Sequence, residues 1–86
     1  MRELIEFIAR NLVDTPEAVH VHVIRDDQRA SVLSLRVDGE DLGKVIGRQG
    51  RVAKAMRSLM RATATLRGQQ HISLEIDDRG RPRPEA

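Results

Sequence analysis

The sequence predicts an α+β domain in which helices pack on one face of a small sheet. Three observations predict it. Apolar residues recur at helical spacing near the start of the chain. Two neighbouring segments then alternate apolar and polar residues with period 2. Two further helical segments, separated by glycines, precede a third alternating run. The order is helix, strand, strand, helix, helix, strand, and 86 residues leave room for one core only.

Leu4, Ile5, Ile8 and Leu12, with Glu3, Glu6 and Arg10 between them, make residues 2–13 an amphipathic helix. Pro16 biases Thr15 away from helical angles, so Asp14-Thr15-Pro16 ends it. Val19, Val21 and Val23 alternate with His20, His22 and Ile24 in a half-buried strand, and Asp26-Asp27-Gln28 supplies a hairpin turn. Leu33, Leu35 and Val37 then share one face of a second strand, with Ser34 and Arg36 on the other. Asp38 or Gly39 caps a short helix from Glu40 to about Ile46. Gly47 to Gly50 interrupts it, and a longer helix runs from about Arg51 to Leu66. Its expected apolar face is Val52, Ala55, Met56, Leu59, Ala62, Thr63 and Leu66, with Met56 and Met60 as core filler. Gly68 stops that helix, and Ile72, Leu74 and Ile76 give the third strand. The domain is expected over residues 1–77, and a disordered basic tail over residues 78–86.

Composition narrows the function. No apolar run approaches the roughly 20 residues that span a membrane, and the start of the chain is too acidic for a signal peptide. The chain has no cysteine, which excludes thiolate metal sites and suits the cytoplasm, the expected location. Phe7 is the one aromatic residue, so any nucleic acid is bound without a stacking platform.

Charge is segregated. From Leu42 to Leu74 there is no Asp or Glu, while Lys44, Arg48, Arg51, Lys54, Arg57, Arg61 and Arg67 carry seven positive charges. All thirteen acidic residues and the other eight basic ones lie outside, so a chain of net charge +2 divides into +7 and −5. Within the basic window, Gly43-Lys44-Val45-Ile46-Gly47-Arg48-Gln49-Gly50 joins two helices by a short glycine loop. Such a loop lets the backbone approach an anionic partner closely. Bare N–H groups at the start of the next helix face a phosphate, and Arg48 and Gln49 add a charge and a donor at the tip. No Gly-Lys-Ser/Thr follows, so it is no nucleotide P-loop. A plain helix–helix turn is the competing reading, and it leaves Arg48-Gln49 and the acid-free surroundings unexplained.

Val45-Ile46-Gly47-Arg48-Gln49-Gly50 resembles the Val-Ile-Gly-x-x-Gly signature of KH domains, whose loop clamps about four nucleotides of single strand. The element order resembles the type II arrangement with a three-stranded mixed sheet. The run from Gly43 to Ala55 and the small size are similar to the stand-alone bacterial KH proteins of the KhpA type. The resemblance covers residues 1 to about 77. It implies that Gly47 through Gly50 form the backbone clamp, with Val45 and Ile46 in the apolar floor under the bases and Val37 completing it. Lys44, Arg48, Gln49, Arg51 and Lys54 would line the strand. Arg48 stands where such proteins often carry Lys, a change that keeps the charge. The resemblance further implies homodimers, heterodimers with a larger KH protein of the KhpB (Jag) type, and post-transcriptional regulation linked to cell division and envelope growth.

Other features have two readings. Lys54, Arg57 and Arg61 form a stripe that either tracks phosphates or is a solvated outer face. His20, His22 and His71 would suit zinc in number, but no acidic second shell accompanies them, and exposed strand histidines explain them better. Arg79, Arg81 and Arg83 of the tail either add RNA affinity or are simply solvated. The expected function is therefore a binding module for single-stranded RNA, with no cofactor, metal, membrane or small-molecule substrate. The alternative is a protein–protein adaptor that keeps the KH shape. Nothing in the chain pairs a nucleophile with a base, so an enzyme is not expected.

Overall fold

The computed structural model describes residues 1–77 and has the expected α+β order. The expected tail, 78–86, lies outside the described residues. Helix α1 spans Arg2–Leu12 and ends as Val13 turns extended ahead of Pro16. Glu6 bridges Arg2 and Arg10 at 3.1 and 3.0 Å along its outer side, pairs one turn apart that add a little helix stability. A single 3-10 turn, Pro16–Ala18, then leads into strand β1, His20–Asp26. Strand β2 is Ala30–Arg36, and the Asp27 carboxylate closes the hairpin by accepting the amides of Arg29 (2.8 Å) and Ala30 (3.0 Å).

Asp38 is the cap of the next turn, its carboxylate accepting the Glu40 amide at 2.9 Å. Helix α2, Leu42–Ile46, follows, then the glycine loop, helix α3 at Arg51–Leu66 and strand β3 at His71–Asp77. The sheet runs β1-β2-β3, with β1 antiparallel and β3 parallel to β2. Parallel pairing demands a crossover, and α2 and α3 provide it. Ile5, Val19, Leu33, Leu35, Val45, Met56, Met60 and Leu74 fill the core between this helical layer and the sheet.

Two expectations are corrected. On α3 the buried residues are Ala53, Met56, Met60 and Ala64, so of the expected face only Met56 is in the core. Leu59 is 47% and Leu66 90% exposed. The helix carries two apolar stripes with two alanines each, and the one with Met56 and Met60 faces the sheet. On β1, pairing slips between Val23 and Arg25, so the alternation of the sequence stops at a bulge and Val23 and Ile24 stay exposed.

The face of the sheet away from the helices carries His20 opposite Arg36 and His22 opposite Ser34. His71 pairs with Ala30, six residues along β2 from Arg36, or roughly 20 Å away. The three histidines therefore do not converge. A buried polar cluster ties the hairpin to the loop after α3. Gln69 donates to the Asp27 carbonyl (2.7 Å) and to Asp26 Oδ1 (3.1 Å), and the Ser31 hydroxyl lies 2.9 Å from the same carboxylate. Among the described residues no helix is long and apolar enough to cross a membrane.

Candidate nucleic-acid interface

The loop between α2 and α3 is built from backbone angles that few residues tolerate. Gly47 sits at φ 77°, ψ 170°, a region open essentially to glycine alone. Gln49 (φ 58°) and Gly50 (φ 74°) are both left-handed. The Gly47 amide closes α2 on the Gly43 carbonyl at 2.8 Å, and the Gly50 amide turns back to the Gly47 carbonyl at 3.1 Å. The loop thus holds itself, and Arg48 and Gln49 stand exposed at its tip. Sequence reading located both glycines but not the left-handed Gln49, since a non-glycine side chain gives no sign of positive φ.

Gly47 is needed for a second reason. A Cβ there would lie 2.5 Å from Val52 Cγ2, so the loop is folded directly onto the first turn of α3. Val52 fastens the loop to the helix, a role its place in the sequence did not reveal. The first amide of α3, that of Arg51, already donates to the Arg48 carbonyl, so the start of the helix is closed onto the loop beside Arg48 and Gln49.

The residues expected to line a strand separate into groups. Gly47, Arg48, Gln49, Gly50, Arg51 and Lys54 lie together on the loop and the first turn of α3, with Arg51 Nη2 3.4 Å from Gln49 Oε1. Arg48, Arg51, Lys54 and Arg61 have no carboxylate partner among the described residues. Ile46 is half-buried at the end of α2. Val45, by contrast, has no exposed surface, and Val37 is nearly as enclosed. Both support the site from beneath.

Lys44 is engaged elsewhere. Its ammonium donates to the Asp14 carboxylate and lies 3.3 Å from Asp41 Oδ1. Asp14 holds the Lys44 pKa above the usual lysine value, despite an opposing desolvation. Burial pushes the Asp41 carboxyl up, but hydrogen bonds from the Thr15 and Asp14 amides and from Lys44 outweigh it and leave it below the usual range. The acid-free window of the sequence is therefore not acid-free in space. Arg67, likewise, sits 3.4 Å from Asp26. What remains is a narrower positive strip from the loop along α3.

Arg57 departs from the solvated outer face offered as one reading of the α3 stripe. It is half-buried and bends over strand β3, where Nη2 and Nε donate to the Leu74 carbonyl at 2.9 and 3.3 Å. Seventeen residues separate the two, so nothing local in the sequence signals the contact.

Comparison with known proteins agrees with this geometry. The family model described as KhpA/KhpB, KH domain, matches residues 2–76. A Clostridium perfringens protein named RNA-binding protein KhpA is 46% identical over 76 residues, covering 88% of this chain and 99% of its own. Proteins of the same name from Treponema pallidum (47%) and Chlamydia trachomatis (40%) match 88% of this chain and 92% and 95% of theirs. No solved structure matches significantly. With a family match across residues 2–76, relatives at 40–47% identity and the glycine loop set between two helices, the chain belongs to the KhpA/KhpB KH-domain family.

Proposed function

We propose that this protein binds single-stranded RNA by clamping its sugar–phosphate backbone on the Gly47–Gly50 loop. The observation that carries this reading is the self-supported loop, pressed onto Val52, with Arg48 and Gln49 exposed at its tip. A preformed clamp loses little freedom on binding, and its unpartnered positive charges lie along one strip. About two to four phosphate contacts give weak binding to short strands, with log K falling against log salt at about −0.7 per contact.

Weak single sites favour pairing, because a second linked site raises avidity without new contacts. The proposal therefore includes a homodimer and, as the resemblance implies, pairing with a larger KH protein of the KhpB type in regulation of cell division and envelope growth. Ala55, Leu59, Ala62 and Leu66 recur at alternating four- and three-residue spacing on α3, away from the sheet, and a second copy would cover that stripe.

The test is fluorescence anisotropy with labelled single-stranded RNA, duplex RNA and single-stranded DNA over a salt series. The wild type is compared with the Arg48→Asp/Gln49→Asp variant, in which Asp tolerates the left-handed position. Salt-sensitive binding to single strands that disappears in a folded variant supports the reading. No binding by the wild type at tens of micromolar turns the function toward a protein–protein adaptor, and undiminished binding by the variant moves the binding site off the loop.

A further inference from the structure

The exposed stripe of α3 has an internal order. Ala55, Leu59, Ala62 and Leu66 alternate a small and a large apolar residue, and all four are exposed, Leu59 at 47% and Leu66 at 90%. Ala55 and Leu66 have the same midpoint in the chain as Leu59 and Ala62, between Met60 and Arg61. A two-fold axis through that midpoint, perpendicular to the helix, lays each leucine of one copy against an alanine of the other. Every layer then holds one large and one small side chain, and the two helices close at an even distance. A parallel pair would stack leucine on leucine and alanine on alanine, so its layers would be alternately thick and thin.

The surroundings favour the same arrangement. Ser58, Thr63 and Thr65 flank the stripe and are small and uncharged. The Thr63 and Thr65 hydroxyls donate to the Leu59 and Arg61 carbonyls at 3.0 and 2.9 Å, so covering them leaves neither donor unpaired. Charge selects the orientation as well. Arg48, Arg51 and Lys54 stand at the start of the helix without a carboxylate partner among the described residues. A parallel pair would bring both sets within about 8–10 Å of each other, the spacing of packed helices. An antiparallel pair sends them to opposite ends and sets the two helix dipoles against each other favourably.

This packing fixes how far apart the two clamps lie. Arg51, beside the loop, is between nine and ten residues from the midpoint, roughly 14 Å along the axis. Two copies thus hold their loops roughly 30 Å apart, at the far ends of one helix pair. A stretched single strand covers roughly 6 Å per nucleotide, nearly twice its stacked rise. We infer that two copies pack α3 antiparallel about this midpoint, and that the RNA they hold carries two single-stranded sites separated by at least about five nucleotides. The inference rests on the clamp and the pairing proposed above. A strand with one site of about four nucleotides occupies one copy only. Avidity comes from a strand that carries both sites with room between them.

The chain has no cysteine, so introduced ones report the orientation without any RNA. Ala55→Cys and Leu66→Cys are oxidised separately and as an equal mixture, with thermal melting of each. The mixture is expected to form a disulfide-linked dimer, and neither variant alone is. Two copies of Leu66 lie roughly 16 Å apart in the antiparallel pair, too far for a disulfide. Self-linking of each variant marks a parallel pair and overturns the inference.

The wild type is then titrated with two uridine tetranucleotides joined by two, eight or sixteen abasic residues. Each strand is compared with one of equal length and charge that carries a single tetranucleotide, and the same samples are sedimented. The eight- and sixteen-residue spacers are expected to raise affinity on the order of tenfold or more over their controls, and the two-residue spacer to give no gain. A gain already present with the two-residue spacer, or absent with all three, overturns the two-site target while leaving the clamp intact. A wild type that sediments as a monomer throughout removes the pairing. Failure of every strand to bind refutes the single-strand reading itself.

Discussion

Gly47 has no room for a side chain against Val52: a Cβ would lie 2.5 Å from Val52 Cγ2 and 2.8 Å from the Val52 amide nitrogen. One of these atoms is backbone, so rotating the valine does not relieve the clash. Gly47→Ala is therefore expected to cost about 2–3 kcal/mol, combining overpacking with a φ of 77°. Gly50 has a similar φ of 74° but open space around it, so Gly50→Ala should cost only about 1–2 kcal/mol. Urea unfolding of both variants checks the order. Equal costs would mean that the close approach to Val52 contributes nothing.

Lys44 and Arg48 sit on either side of Ile46 and Gly47, yet only one is free to meet a phosphate. Asp14 and Asp41 already hold the Lys44 ammonium, whereas Arg48 stands exposed without a carboxylate. Arg48→Ala should flatten the salt slope of RNA binding by about 0.7, the share of one single-strand phosphate. Lys44→Ala should change it much less. Titrations at four or more salt concentrations separate the two, and equal losses of slope would show that Lys44 leaves its acids when the strand arrives.

The difference between these two residues marks where the sequence was legible. Features carried by neighbours could be read: the element order, the bounds of α3 and the Gly47–Gly50 turn all follow from local period and glycine placement. Features carried by distant partners could not. Asp14 reaches Lys44 across 30 residues, and Leu74 reaches Arg57 across 17. Periodicity also failed to choose between two stripes of α3. Ala53, Met56, Met60 and Ala64 are as apolar in pattern as Ala55, Leu59, Ala62 and Leu66, and only the sheet beneath decides which is core. The β1 bulge had no sign at all, because Val23 and Ile24 continue an apolar run that the strand itself does not bury.

The stripe left outside has a measurable consequence. Leu66 is 90% and Leu59 47% exposed, so replacing either with a charge removes little from the monomer's own core. Leu59→Lys/Leu66→Lys should stay folded and shift sedimentation at high protein concentration from dimer toward monomer. Its affinity for a strand long enough to reach two sites should fall more than its affinity for a short one. A wild type that sediments as a monomer throughout, or a variant that stays dimeric, would remove this face from the proposed pairing.

Asp27 sets a pH dependence at the other end of the sheet. Arg25 at 2.6 Å, with the amides of Arg29 and Ala30, holds its carboxyl down to about 2, well below the usual aspartate value. The unfolded chain thus takes up the proton first as acid is added, so the contribution to stability is full above about pH 4 and is lost as pH falls toward 2. Asp27→Asn keeps an oxygen for the two amides but removes the charge. It should melt below the wild type at pH 6, and the two melting temperatures should converge between pH 4 and pH 2 as the wild-type carboxylate protonates. Because the side chain is half exposed, the gap should also narrow in high salt. A gap that stays constant from pH 6 to pH 2 would assign the hairpin turn to hydrogen-bond geometry alone and leave the Arg25 pairing without effect on stability.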